Sequence, residues 1–168
     1  MKTILFLILF VSSVFARDTL YFLPEDGDKA ENKIAHIFKT AHYEIKIAMY
    51  TFTNKKFLKA LKSAARRGVK IKIIADYDSN KNQSYSSIVP QLKKLRNIEV
   101  KLLTGAGRGR YKGIMHIKFF IVDDRIVGFG SANYTYSAFH KNYEILYIND
   151  DWTFTRKFTK IFDKLWIK

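Results

Sequence analysis

From residue 19 onward, short apolar runs alternate with stretches in which apolar residues recur every three or four positions. The first spacing suits strands and the second suits helices. Residues 19–23 predict a short strand. Within 28–41, Ile34, Ile37, Phe38 and Ala41 recur at helical spacing. Residues 43–52 predict a buried strand. Asn54 is a good N-cap for a helix carrying Phe57, Leu58, Leu61 and Ala65 and ending at Gly68. A strand at 69–75, a shorter helical segment at 87–95 and a strand at 98–103 follow. Residues 116–122 and 125–129 pair across a tight turn at Asp123 and Asp124, and 143–148 makes the next strand. Asp151 caps a last helix with Phe154, Phe158, Ile161, Phe162 and Leu165 along one side. Helices and strands alternate early and strands cluster late, with no linker or repeat. This predicts an α/β fold, a mixed β-sheet flanked by helices on both faces, in a single domain.

The first sixteen residues, MKTILFLILFVSSVFA, break that alternation. Lys2 provides a short positive start, residues 4–11 are uninterruptedly apolar, and Val14-Phe15-Ala16 makes a cleavage site. The apolar run falls short of the roughly 20 residues that a membrane span needs. Residues 1–16 therefore predict a signal peptide, with an N-terminal membrane anchor as the alternative, and an exported protein that is periplasmic, secreted or membrane-associated.

Charge narrows the partner. Thirty Lys and Arg stand against fifteen Asp and Glu, giving +15 in 168 residues. Such an excess of one sign fits a polyanion, nucleic acid first and an anionic membrane surface second. The chain has no cysteine, which rules out disulfides and cysteine-ligated zinc. The histidines His36, His42, His116 and His140 lack metal-ligand spacing, so neither metal nor cofactor is expected.

The chemistry concentrates in HIKFFIVDDRIVGFGSANYTYSAFHKNYE, residues 116–144. In an extended strand His116 and Lys118 project to one face while Ile117 and Phe119 turn to the other. The apolar run 119–122 suits a strand buried on both sides, a rigid support for two polar heads. Imidazole is the one group of the set that is uncharged and nucleophilic near neutral pH. Lys118 and Asn133 suit the nonbridging oxygens of a phosphoryl group, and Ser131 adds a neutral hydrogen-bonding group. Glu144 suits the far nitrogen of His116, as the acid of a catalytic triad does. Gly130 permits a close backbone approach. Asp123 lies roughly 16 Å along the strand from His116, so it is expected to hold the turn and to stay out of the chemistry. The segment 104–113, TGAGRGRYKG, leads into His116. Its four glycines predict mobility. Arg108, Arg110 and Lys112 offer charge and Tyr111 a ring for base stacking, which makes it a candidate substrate loop.

The spacing His116-x-Lys118-x4-Asp123-x6-Gly130-Ser131-x-Asn133, with Glu144 downstream, resembles the HKD signature of the phospholipase D superfamily. The wider chain resembles its small, single-motif, secreted or membrane-associated bacterial endonucleases, with 17–168 as the phospholipase D-like nuclease domain. Tyr50, Thr51, Phe52 and Thr53 resemble family positions near the pocket. The resemblance implies a homodimer that pools two motifs in one composite site. One His116 would form a phosphohistidine while the other protonates the leaving oxygen. The expected function is metal-independent, sequence-nonspecific cleavage of DNA, single strands preferred, with RNA as a further substrate. The alternative is a phospholipase D or phosphatidyl-transfer enzyme acting on membrane lipids. A non-catalytic DNA-binding module is the third class, and the intact motif argues against it.

Overall fold

The computed structural model describes residues 18–81, 86–107 and 111–168. The segment read as a signal peptide and the loop positions Arg108 and Arg110 lie outside those residues. In chain order the elements are β1 (Asp18–Leu23), α1 (Gly27–Thr40), β2 (Glu44–Met49), α2 (Lys55–Arg66), β3 (Lys70–Asp76), α3 (Tyr77–Asn80), α4 (Val89–Leu92), β4 (Ile98–Leu103), β5 (Phe119–Val122), β6 (Ile126–Gly130), α5 (Tyr136–His140), β7 (Glu144–Asn149) and α6 (Trp152–Trp166). The seven strands form one sheet in the order β1-β7-β6-β5-β2-β3-β4. The β2–β3 and β3–β4 pairs are parallel, and the remaining neighbours are antiparallel.

Side-chain alternation along the central strands feeds two separate cores. Ile45, Ile47 and Met49 of β2 and Phe120 and Val122 of β5 join Ile34, Phe38, Phe57 and Leu61 of α1 and α2. Ala48, Phe119 and Ile121 point the other way, onto Phe162 of α6 with Phe154 and Phe158 beside it. Each fully buried ring of this kind contributes about 2 kcal/mol relative to exposure. Helices therefore cover both faces, as the sequence predicts. Ile161 departs from the expected apolar stripe of α6 and is 44% exposed.

Lys46 is buried on the α6 side of β2. Its ammonium lies 3.0 Å from Glu44, 3.5 Å from Asp124 and 3.8 Å from Asp163 of α6. Burial works against its charge, yet the three carboxylates outweigh burial and hold its pKa above the ordinary lysine value.

Three local expectations change. The helical segment at 87–95 shrinks to the single turn α4, with Pro90 in its first turn, where the missing N–H costs nothing. Two short helices, α3 and α5, were not expected. Asp76 caps the first and Thr135 caps the second, each side chain accepting from a backbone amide three residues on. Strand β5 begins at Phe119 rather than at His116. Its pairing with β2 stops at Ala48 opposite Phe119, and β2 leaves the sheet after Met49, so His116 and Ile117 have no β2 residue opposite them.

The turn between β5 and β6 behaves as expected. Asp123 and Asp124 both adopt left-handed backbone, at φ 54° and 49°, the conformation of a tight hairpin turn. The Asp123 carboxylate accepts from the amides of His42, Tyr43 and Glu44 at 2.9, 2.8 and 2.9 Å. It thus ties the hairpin to the start of β2.

Candidate active site

Beyond Met49 the chain turns out of the sheet and runs beside the segment after β6. The Thr51 carbonyl accepts from the Tyr134 amide at 3.1 Å, and the Tyr134 carbonyl accepts from Thr53 and Asn54 at 2.8 and 2.9 Å. The Asn133 side-chain carbonyl accepts from the Thr51 amide at 3.3 Å. The family-like stretch 50–53 and the candidate residue Asn133 are therefore parts of one joint.

Tyr50 sits in that joint under the two heads of the motif. Its ring meets the exposed His116 imidazole edge-on, with centroids 4.7 Å apart. The Lys118 ammonium lies 5.5 Å from the same ring centroid and donates to the His116 carbonyl at 2.7 Å. Lys118 is only 8% exposed. Burial pushes its pKa below the ordinary lysine value, and the charge of Glu144 pulls the other way. His116 and Lys118 are thus neighbours, but through a backbone contact and a shared aromatic floor rather than through strand alternation.

The frame around them was not legible in advance. Asp76, at the end of β3, is 2% exposed. One of its oxygens accepts from Ser79 and the other from Met115, the residue before His116, both at 3.0 Å. Asn80, equally buried, donates to the Tyr50 carbonyl at 2.6 Å and to the Asp76 carbonyl at 2.9 Å. Its own oxygen accepts from the Ser87 hydroxyl at 2.9 Å. Asp76 and Asn80 therefore brace the chain on both sides of the imidazole. The available signal was an Asp closing an apolar strand three residues before a Ser, which is capping spacing.

On the other flank, the Ser131 hydroxyl donates to the Glu144 carboxylate and accepts from the Ile145 amide at 3.1 Å. Glu144 bonds to Ser131 within the chain, and among the described residues no hydrogen bond joins it to His116. Gly130 meets the expected close approach: a Cβ there would stand 2.1 Å from the Ile145 carbonyl oxygen.

The loop before His116 is pinched at its base, where the Gly105 amide donates to the Gly113 carbonyl at 2.8 Å. A Cβ on Gly113 would come within 2.6 Å of the Ala106 carbonyl oxygen. These two glycines serve contact, where the sequence suggested freedom. Tyr111 and Lys112 are exposed. A groove of about 510 Å³ runs beside His116, lined also by Tyr77, Thr104, Gly105, Ile114 and Ile117.

Among the described residues one trio of potential metal ligands converges, Asp28, Glu31 and His140. Glu31 already accepts from Asn54 at 2.6 Å and from the Lys56 ammonium at 2.9 Å. The trio reads as an ion network joining α1, α2 and α5. No described helix is long and apolar enough to cross a membrane.

Residues 34–166 match the family described as the cardiolipin synthase, PLD-like domain. The mitochondrial cardiolipin hydrolase of Xenopus laevis is 29% identical over 139 residues, covering 83% of this chain and 62% of that protein. The human protein of the same name is 26% identical over 144 residues, 83% of this chain and 52% of its own length. The chain thus spans only about half to three fifths of these relatives. Among solved structures, NucT from Helicobacter pylori superposes with a TM-score of 0.85 at 39% identity, covering 89% of this chain and 95% of that one. Nuc from Salmonella typhimurium, described as a phospholipase D family member, shares the fold at a TM-score of 0.71 and 23% identity, over 90% and 95% of the two chains. The motif geometry, the sheet and these matches agree: the chain belongs to the phospholipase D superfamily.

Proposed function

We propose that the chain is a phosphodiesterase that hydrolyses nucleic acid, DNA foremost, through a phosphohistidine intermediate in a symmetric dimer. The observation that carries the reading is an exposed His116 beside a buried ammonium, Lys118, in a protein of net charge +15. One His116 attacks phosphorus, forming a nitrogen–phosphorus bond as the bond to the leaving oxygen breaks. The partner's His116 protonates that oxygen, then takes a proton from water as the water displaces the first histidine. Lys118 and Asn133 hold the nonbridging oxygens and offset the charge that builds up on them. Arg108, Arg110, Tyr111 and Lys112 grip the strand that enters, and the exposed ring of Tyr111 favours unpaired bases. An exported enzyme of this kind meets DNA outside the cytoplasm.

The second reading is hydrolysis of a phospholipid, favoured by the likeness to the cardiolipin hydrolases. One assay separates the two. Protein lacking residues 1–16 is incubated in excess EDTA with single-stranded DNA, duplex DNA, RNA, phosphatidylcholine and cardiolipin. The nuclease reading expects DNA cleavage, single strands fastest, and untouched lipid. Cleavage of lipid alone overturns it.

A further inference from the structure

Helix α2 reads KKFLKALKSAAR and contains no acidic residue. Its apolar side, with Phe57, Leu58, Leu61, Ala64 and Ala65, is buried. Lys55, Lys59, Lys62 and Arg66 follow at intervals of four, three and four, which aligns them in one outward stripe. Among the described residues none of these four lies within ion-pair distance of a carboxylate. Like charges at this spacing repel one another in the isolated helix.

The stripe ends in an open cavity of about 640 Å³ lined by Lys62, Arg66, Arg67, Arg96 and Asn97, with no acidic group among the described residues of its wall. Neutral acceptors hold the Arg67 guanidinium in place, Ser63 Oγ at 3.2 Å and the Ala41 carbonyl at 3.0 Å. Its charge therefore stays uncompensated. The Asn97 side chain donates to the Ala65 carbonyl at 3.1 Å and so fixes the loop that carries Arg96 to the helix end. A second cavity, of about 360 Å³, shares Lys62 and continues along Lys55 and Lys59.

A helix C-terminus attracts cations over its last turn. That accounts for Arg66 and Arg67. It does not account for Lys55 and Lys59, which stand in the first half of the helix, where the dipole opposes positive charge. The helix starts directly after the joint with Asn133 and Tyr134, and its 12 residues reach about 18 Å away from it. The arginine cavity lies where β3 and β4 begin, at the opposite end of the sheet from Asp76 and Met115.

We propose that the outer face of α2 is a second phosphate-binding track. It would lead the backbone of a long nucleic acid from the candidate active site to an arginine pocket formed by Arg66, Arg67 and Arg96. Nucleic acid is favoured over a membrane because none of the large exposed apolar side chains lies on α2 or on the turn before β4. A lipid-seated helix needs such anchors beside its cations. Along one strand of a duplex, where phosphates advance about 3.4 Å each, the track covers about five phosphates. The inference takes its ligand class from the nuclease reading.

The test uses two double variants, Arg66→Gln with Arg96→Gln, and Lys59→Gln with Lys62→Gln, all at solvent-accessible positions. Binding of a labelled 30-nucleotide single strand is titrated against salt in the His116→Ala background. Each pair is expected to weaken binding about tenfold at 0.1 M salt and to lower the salt slope by about 1.4. In the active background, KM for the 30-mer should rise with kcat unchanged. KM for a tetranucleotide and the hydrolysis of a chromogenic aryl phosphodiester should stay as in the parent. Unchanged slopes, or equal KM changes on the two oligonucleotides, overturn the track and leave the nuclease reading standing. If the parent neither binds nor cuts DNA, and instead sediments with phosphatidylglycerol vesicles through these same residues, both readings fall.

Discussion

The Ser131 hydroxyl donates to the Glu144 carboxylate and accepts from the Ile145 amide at 3.1 Å. A neutral side chain thus holds the acid at the head of β7, on the flank of Lys118. If Glu144 later stabilises an imidazolium, Ser131 keeps it in position. Glu144→Gln should fold normally and lower kcat by about 100-fold or more, since the charged imidazole loses its negative partner. Ser131→Ala should cost only about tenfold, because the carboxylate remains. Steady-state kinetics with a melting curve on each variant checks both. Full activity in Glu144→Gln would remove the acid from the mechanism.

A shared site has a signature in mixing. His116→Ala should abolish turnover, because nucleophile and acid vanish together. When wild-type and His116→Ala chains are unfolded together and reassembled in equal amounts, about a quarter of dimers keep both histidines under random pairing. Specific activity should therefore drop to about a quarter. A drop to one half, in proportion to wild-type content, would mean independent subunits.

Lys118 predicts an alkaline limb. Burial lowers its pKa from the ordinary 10.5, so its charge is lost at a lower pH than an exposed lysine's. The kcat/KM profile should fall on the alkaline side below 10.5. Lys118→Arg should react more slowly with that limb absent, since guanidinium stays charged. For stability the sign is opposite. Between the folded value and 10.5 the unfolded chain binds the extra proton, so this residue makes stability rise with pH there. A kcat/KM profile that stays level up to pH 10.5 would exclude Lys118 as the charged group.

Asp123 should matter for folding alone. Asp123→Ala orphans three amides and leaves a Cβ-bearing residue without side-chain bonding at φ 54°. A loss of about 3 kcal/mol is expected in urea denaturation. Asp123→Asn, which tolerates left-handed backbone, should lose about 1 kcal/mol. The kcat of the folded fraction should not change, and a large fall would place Asp123 in the chemistry.

Among the described residues the Tyr134 hydroxyl has no hydrogen-bond partner inside the core formed with Phe38, Phe52 and Phe57. Burial pushes its pKa well above the ordinary value. Tyr134→Phe removes the unsatisfied group and keeps the ring, so it should gain about 1 kcal/mol in denaturant unfolding. A loss of stability would mean that the hydroxyl has a partner such as buried water.

The sequence by itself determined the sheet, its two-sided cover and the identity of the motif. These depend on local periodicity: β5 is apolar at every position because both of its faces are buried, and Asn54 and Asp151 cap their helices through their own side chains. The role of Asp123 as a turn holder was also legible, because residue spacing along an extended chain fixes distance. Tertiary structure decided what those residues touch. His116 and Lys118 were expected to share a strand face. Instead β2 leaves the sheet after Met49, β5 starts late, and Tyr50 becomes the floor beneath both. Asp76 and Asn80 brace Met115 and Tyr50 from positions 35 to 40 residues before the motif, and no local pattern links such distant partners. The stripe on α2 was present in the sequence as a run of lysines. Only the fold set its far end against Arg96, because that contact needs the turn before β4 to pack on the end of the helix.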